Sequence, residues 1–269
     1  MESRQQGRLK KRERLERNRV NKDLLSASFD CLEDAKKIII DCSFDKIMTD
    51  FERSSLARQV QQCYAHLRSQ GNGGSQMFMS SVNDDLMTRL HKQGSDQWIV
   101  HLHGDRLEDV IEKIEQRCNR KHRTIFMSPD ADQELTPDDI QDKRTIFVLG
   151  GIVDRSVSRN ETSHKAIRLG LESRRLPIEM DMFVNKVFNI DTVFMFLIRA
   201  FSSTQHSRAD LLQILSSVVP DRKKKSDEPV RLKIEKGLSQ QLKGADQENG
   251  ADLLNNVKLL HYNFVNLLL

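Results

Sequence analysis

Between Lys37 and Val219, short apolar runs alternate with stretches of helical period, and that alternation constrains the fold more than any other property of the chain. Lys37 to Cys42 reads as a buried strand. Thr49 and Glu52 form a capping box, after which Leu56, Val60, Tyr64 and Leu67 recur at near-helical spacing until the break at Gly71 to Gly74. Gln76 to Val82 reads as a strand, and Asn83 caps a helix reaching about Lys92. A strand at Trp98 to His103, a helix at Leu107 to Gln116 and a strand at Arg123 to Met127 follow. An acidic segment containing Pro137 leads to the strand Thr145 to Leu149. The pattern then predicts a helix over Thr162 to Glu172, a minimal strand at Leu176 to Ile178, and helices over Ile190 to Ser202 and Leu211 to Val219. The fold class expected is α/β, a mostly parallel sheet with helices on both faces.

The segment Thr145 to Asp154, TIFVLGGIVD, runs an apolar strand into two glycines and ends on a carboxylate. A strand that stops at Gly-Gly exposes backbone in a tight turn, at the place where an α/β sheet receives ligands. Asp154, just past it, is placed to act as a base or to hold a ligand.

The formal net charge of the 269-residue chain is only +4, yet its distribution is uneven. Nine basic residues lie between Arg4 and Lys22 against two acids, Glu13 and Glu16. Such an arm suits phosphate backbones, and equally reads as a solvated tail or a nuclear address. Its acids make it a poor mitochondrial presequence, so nucleus or cytoplasm is the expected location. Residues 1–35 are therefore expected to form a basic, partly helical arm, 36–222 the folded domain, and 223–269 a variable, polar tail that ends on the apolar run Leu259 to Leu269. The four cysteines, Cys31, Cys42, Cys63 and Cys118, show no C-x-x-C pair or zinc spacing and read as reduced thiols of an intracellular protein; no metal is expected. The apolar run Val193 to Ile198 is far short of the roughly 20 residues that span a bilayer, so a soluble protein is expected.

The chain has no G-x-G-x-x-G after its first strand, no P-loop and no G-x-S-x-G elbow, which argues against hydride transfer, P-loop phosphotransfer and serine hydrolysis. On the residues alone it is an α/β protein that binds something anionic. Five ordered blocks say more: Ile40-Asp41-Cys42-Ser43-Phe44-Asp45 with Leu56-Ala57 and Gln62-Cys63-Tyr64, then Phe126-Met127-Ser128-Pro129-Asp130, Leu149 to Asp154, Leu176-Pro177-Ile178, and Lys186-Val187-Phe188. In this order they resemble the signature blocks of the tRNA N1-methyltransferase family that modifies the purine at position 9, a branch of the SPOUT methyltransferases.

That resemblance implies a SPOUT-type sheet whose C-terminal part is threaded as a trefoil knot, an exception to unknotted topology. It implies S-adenosyl-L-methionine as cofactor, bent in the knot and held mostly by backbone of three loops. These are Gly150 and Gly151 with Asp154, Arg155, Ser156, Val157 and Ser158, then the region of Leu176, then Lys186, Val187 and Phe188; Met127 and Thr162 are expected beside the same pocket. The glycines would let backbone approach the cofactor closely. Asp154 is the implied general base, accepting the N1 proton of guanine as methyl transfer proceeds; adenine N1 carries no such proton. For tRNA, the expected grip is Lys10, Lys11, Arg12 and Arg14 of the arm, with Lys121, Arg123, Arg155 and Arg159 near the catalytic face. The family resembles monomers. Departures are Arg155-Ser156 where many members carry His-Asn, Phe188 for leucine, and a loop about two residues shorter between Ile178 and Lys186. They keep open a second reading: a noncatalytic or partner-dependent tRNA-binding subunit of a tRNA-processing assembly.

Overall fold

The computed structural model describes residues 6, 12–13, 16–17, 19–26, 29, 33, 35–70, 74–153, 160–178, 182–183, 187–204 and 207–220. The chain divides into two units, 1–224 and 225–269, and every described residue belongs to the first. A helical stretch, α1 (residues 19–26), precedes the sheet domain. Its chain order is β1 (Lys36–Asp41), α2 (Asp50–Gln70), β2 (Ser75–Ser80), α3 (Asp84–Lys92), β3 (His101–Leu102), α4 (Leu107–Cys118), β4 (Arg123–Met127), α5 (Pro137–Gln141), β5 (Thr145–Gly150), α6 (Glu161–Arg168), β6 (Glu172–Arg174), α7 (Ile190–Ser202) and α8 (Arg208–Val218).

Among the described residues the six strands form one sheet in the order β3-β2-β1-β5-β4-β6, and every pairing is parallel. Parallel strands need crossovers, and the helices supply them on both faces. That is why the strands read as unbroken apolar runs. Along β1 and β5 successive side chains still take opposite sides: Ile38, Ile40, Phe147 and Leu149 enter one core, Ile39, Ile146 and Val148 the other. The first core is closed by Leu56, Val60, Cys63 and Leu67 of α2 and by Phe194, Leu197, Leu211 and Leu215 of α7 and α8. The second is closed by Leu107, Val110 and Ile114 of α4 and Ala166 of α6. A side chain as completely buried as Phe147 or Ile39 contributes about 2 kcal/mol through removal from water.

Caps set several boundaries as expected. Thr49 N donates to Glu52 Oε2 at 2.8 Å and Glu52 N to Thr49 Oγ1 at 3.3 Å, opening α2. Asn83 Oδ1 accepts from Leu86 N at 2.8 Å, opening α3. The 190–202 helix has the predicted bounds, and Gln59 Oε1 accepts from Ile190 N at its start.

The expected strand at Leu176 to Ile178 is corrected: the sixth strand is Glu172–Arg174, in register with Ile125 to Met127, and residues 176–178 make no ladder. Gly170, at φ +65°, ends α6 before Glu172, and the polar Glu-Ser-Arg sequence carries no apolar signal. Ion pairs hold this edge strand instead, Arg123 to Glu172 and Asp139, and Arg174 to Asp139. The strand expected over Trp98 to His103 shrinks to His101–Leu102, because Trp98, Ile99 and Val100 pack as loop against the first core. The acidic segment around Pro137 is helical, with Thr136 and Asp139 as a capping box. The last helix begins at Arg208, capped by Ser207, rather than at Leu211. The break at Gly71 to Gly73, Cys31 and the whole tail 223–269 lie outside the described residues.

Candidate functional site

Strand β1 sends its chain toward β2 on one side of the sheet, while β5 sends its chain toward β6 on the other. Adjacent strands whose outgoing connections diverge leave a crevice at their carboxyl ends, the usual ligand position of an open α/β sheet. Asp41 and Gly150 are paired there, and Gly151 N donates to the Asp41 carbonyl at 2.7 Å.

Below this turn lies a buried polar cluster. Asp41 is fully buried; its Oδ2 accepts from Lys165 Nζ at 2.5 Å, and its Oδ1 from Ser80 Oγ at 3.3 Å. Lys165 Nζ also donates to Ser43 Oγ at 2.6 Å. On the first turn of α6, Thr162 Oγ1 donates to Ser128 Oγ at 2.8 Å, and just before it Asn160 N donates to Asp130 Oδ2 at 3.1 Å. The chain entering at Gly151 and the chain leaving at Asn160 are thus both fixed to the ends of β1 and β4.

The glycines have a physical reason within the protein itself, beside the one expected. A side chain at Gly150 would collide with Thr162 Cγ2, and a Cβ at Gly151 would stand 2.8 Å from the Asp41 carbonyl oxygen. The close approach they permit is between the protein's own β5, β1 and α6. Neither has a positive φ, so conformation does not require them.

The structure brings Met127, Gly150, Gly151 and Thr162 to one edge: Met127 ends β4 opposite Leu149, and Thr162 packs on Gly150. Leu176 is buried in the first core, against which Val153, Ile178 and Phe188 also pack. Phe188 meets Phe183 edge-on at 5.3 Å, whereas Val187 is exposed. Asp154, Arg155, Ser156, Val157, Ser158, Arg159 and Lys186 lie outside the described residues, as do Lys10, Lys11 and Arg14 of the arm; Arg12 is described and exposed.

Lys121 and Arg123 do not stand near the glycine turn. Arg123 pairs with Thr145 at the amino end of the strands, opposite to Met127 and Gly150. Both are also committed: Lys121 Nζ lies 2.6 Å from Glu115 Oε2, and Arg123 from Asp139 Oδ1 and Glu172 Oε2 at 2.6 Å each.

Cys42, beside Asp41, is no nucleophile, because burial and then the Asp41 charge push its thiol far above the ordinary range. No cluster of His, Cys, Asp or Glu among the described residues has metal-binding geometry, and no described helix is long and apolar enough to cross a membrane.

A model of the family described as tRNA (guanine(9)-N(1))-methyltransferase TRM10/TRM10A matches residues 1–224. The chain belongs to the TRM10 family. Among its relatives, the tRNA (guanine(9)-N1)-methyltransferase of Debaryomyces hansenii is 29% identical over 195 residues, covering 70% of this chain and 51% of that protein. The tRNA methyltransferase 10 homolog A of Xenopus tropicalis is 25% identical over 223 residues, covering 81% and 60% respectively. The chain therefore spans about half to three-fifths of the length of these TRM10 relatives. The crystal structure of full-length spTrm10 in complex with SAH has the same fold, with TM-score 0.57 and 24% identity over 70% of this chain and 98% of that one. The dual-specific Trm10 of Thermococcus kodakaraensis matches at TM-score 0.51 and 17% identity, covering 66% of this chain and 99% of that one.

Proposed function

We propose that this TRM10 family member is an S-adenosyl-L-methionine-dependent tRNA methyltransferase forming N1-methylguanosine at position 9. The observation that carries the reading is the match of the TRM10/TRM10A model across residues 1–224, a span that includes the Gly150-Gly151 turn at the diverging ends of β1 and β5. The edge suits an adenosine-bearing cofactor chemically. Its described floor is apolar, with Met127, Leu149 and Leu176 buried, and the carboxylate of Asp41 is neutralised by Lys165.

In this reading Gly150 and Gly151, with residues 154–158, 176 and 186–188, hold the cofactor, and the C-terminal segment is threaded as a knot. When bound, the cofactor's sulfonium supplies a labile methyl group. The protein supplies orientation and a base: Asp154, three residues beyond Gly151, accepts the N1 proton of guanine as the nitrogen attacks. Residues 1–35 act as a basic arm on tRNA phosphates.

Asp154→Asn tests the assignment. SAH affinity by calorimetry is expected to stay within a factor of a few, while methylation of guanosine slows by about 10²-fold or more. Full activity in that variant removes Asp154 from the mechanism. SAH binding with no turnover in the wild-type chain alone favours the partner-dependent subunit instead.

A further inference from the structure

A groove of about 410 Å³ opens at the other end of the domain, between α1, the second half of α2 and the turn preceding β3. Helix α2 starts after the carboxyl end of β1 and finishes before the amino end of β2, so its second half lies near the amino edge of the sheet. The six residues of β1 put that edge about 20 Å from the glycine turn.

The groove is lined by aromatic rings and by several polar groups without a polar partner among the described residues. Trp98 is half-buried and stacked on Tyr64, ring centroids 5.1 Å apart and planes 18° apart. Tyr64 is only 4% exposed, yet among the described residues its buried hydroxyl has no hydrogen-bond partner, an arrangement native interiors rarely keep. Arg68 holds its guanidinium 5.8 Å from the Tyr64 ring. Among the described residues neither Arg68 nor Lys22 has a carboxylate within ion-pair distance, and the side-chain amides of Gln62 and Gln97 make no hydrogen bond. Other cations of the domain are paired with carboxylates: Arg89 with Asp50 and Asp85, Arg123 with Asp139 and Glu172, Arg208 with Glu134.

An aromatic surface, together with amides and two cations unpaired among the described residues, in a cleft of this size matches the parts of one nucleotide. Its base stacks on Trp98, its polar edge meets Gln62 and Gln97, and its phosphate meets Lys22 and Arg68. We propose that this groove takes a single unstacked nucleotide of an RNA strand, remote from the methyl-transfer site. Lys22 argues for a strand, because it is the last of the nine basic residues of the arm and so joins the groove to a phosphate-binding path. That the strand is a tRNA rests on the function proposed above; a free mononucleotide offers the same chemistry.

Trp98 is the sole tryptophan of the chain, so its fluorescence reads this groove directly. The full chain is titrated with a short single-stranded oligoadenylate and, separately, with AMP, while SAH binding is followed by calorimetry. Saturable quenching by oligoadenylate is expected, weaker by at least about fivefold in Arg68→Ala and in Gln62→Ala, with SAH affinity unchanged in both. Equal quenching by AMP overturns the strand and assigns the groove to a free nucleotide. Quenching by neither, with SAH still bound, overturns the site and leaves the methyltransferase reading standing. Absent SAH binding in the wild-type chain counts against that reading whatever the fluorescence shows.

Discussion

Lys165 reaches back across 124 positions of sequence to place its Nζ 2.5 Å from Asp41 Oδ2, beneath the turn at Gly150 and Gly151. The pair joins the helix that follows the candidate cofactor loop to the strand end that precedes the crevice. Removing one partner leaves the other charge buried and unpaired. Lys165→Met is expected to cost about 3–5 kcal/mol, and Asp41→Asn with Lys165→Met to recover most of it. Urea denaturation of the two variants checks this; equal losses in both would contradict it.

Gly151→Ala places a methyl 2.8 Å from the Asp41 carbonyl, where only backbone movement relieves the contact. A loss of about 1–3 kcal/mol in stability is expected, with SAH affinity falling as the turn shifts. Calorimetry of the folded variant against the wild type measures it. Wild-type stability would mean that the turn has room to spare.

The edge strand β6 is held by charge, which gives acid sensitivity with a definite sign. Arg123, followed by Arg174, holds the Glu172 carboxyl down to about 2, below its ordinary 4.5. Because the folded-state value is the lower one, the unfolded chain binds the extra proton first. Stability is therefore complete above about pH 4.5 and declines as pH falls toward 2. Urea midpoints across that window are expected to fall for the wild type and to fall less steeply for Glu172→Gln.

Burial pushes the thiols of Cys42 and Cys63 well above their ordinary range, with the nearby Asp41 and Asp191 charges adding to it. Both are expected to resist thiol reagents at pH 8 in the native protein and to react fully in denaturant. Fast labelling of either in the native state would show that this part of the core opens.

What could be read from the sequence followed the strength of the local signal. Strands buried on both faces, such as Arg123–Met127 and Thr145–Gly150, announce themselves as apolar runs, and the caps at Thr49 and Asn83 mark helix starts. Strand β6 was hidden because ion pairs hold it, and Leu176, apolar and buried, drew the expected strand past its true place. The glycine pair was legible, but its packing against Thr162 and the Asp41 backbone was not, since these meet it only in the folded chain. Lys165 had no signal: on an amphipathic helix it reads as a solvated lysine, and its partner Asp41 lies in a block recognised only by resemblance. Lys121 and Arg123 looked free as charges, yet their pairing with Glu115, Asp139 and Glu172 depends on tertiary neighbours.

The most direct test is transfer of a labelled methyl group from S-adenosyl-L-methionine to unmodified tRNA transcripts differing only at position 9, guanosine beside adenosine and uridine. Label is expected on the guanosine transcript, absent with uridine and appearing about 10²-fold or more slowly with Asp154→Asn. No label on any transcript from a folded chain that binds SAH would contradict it.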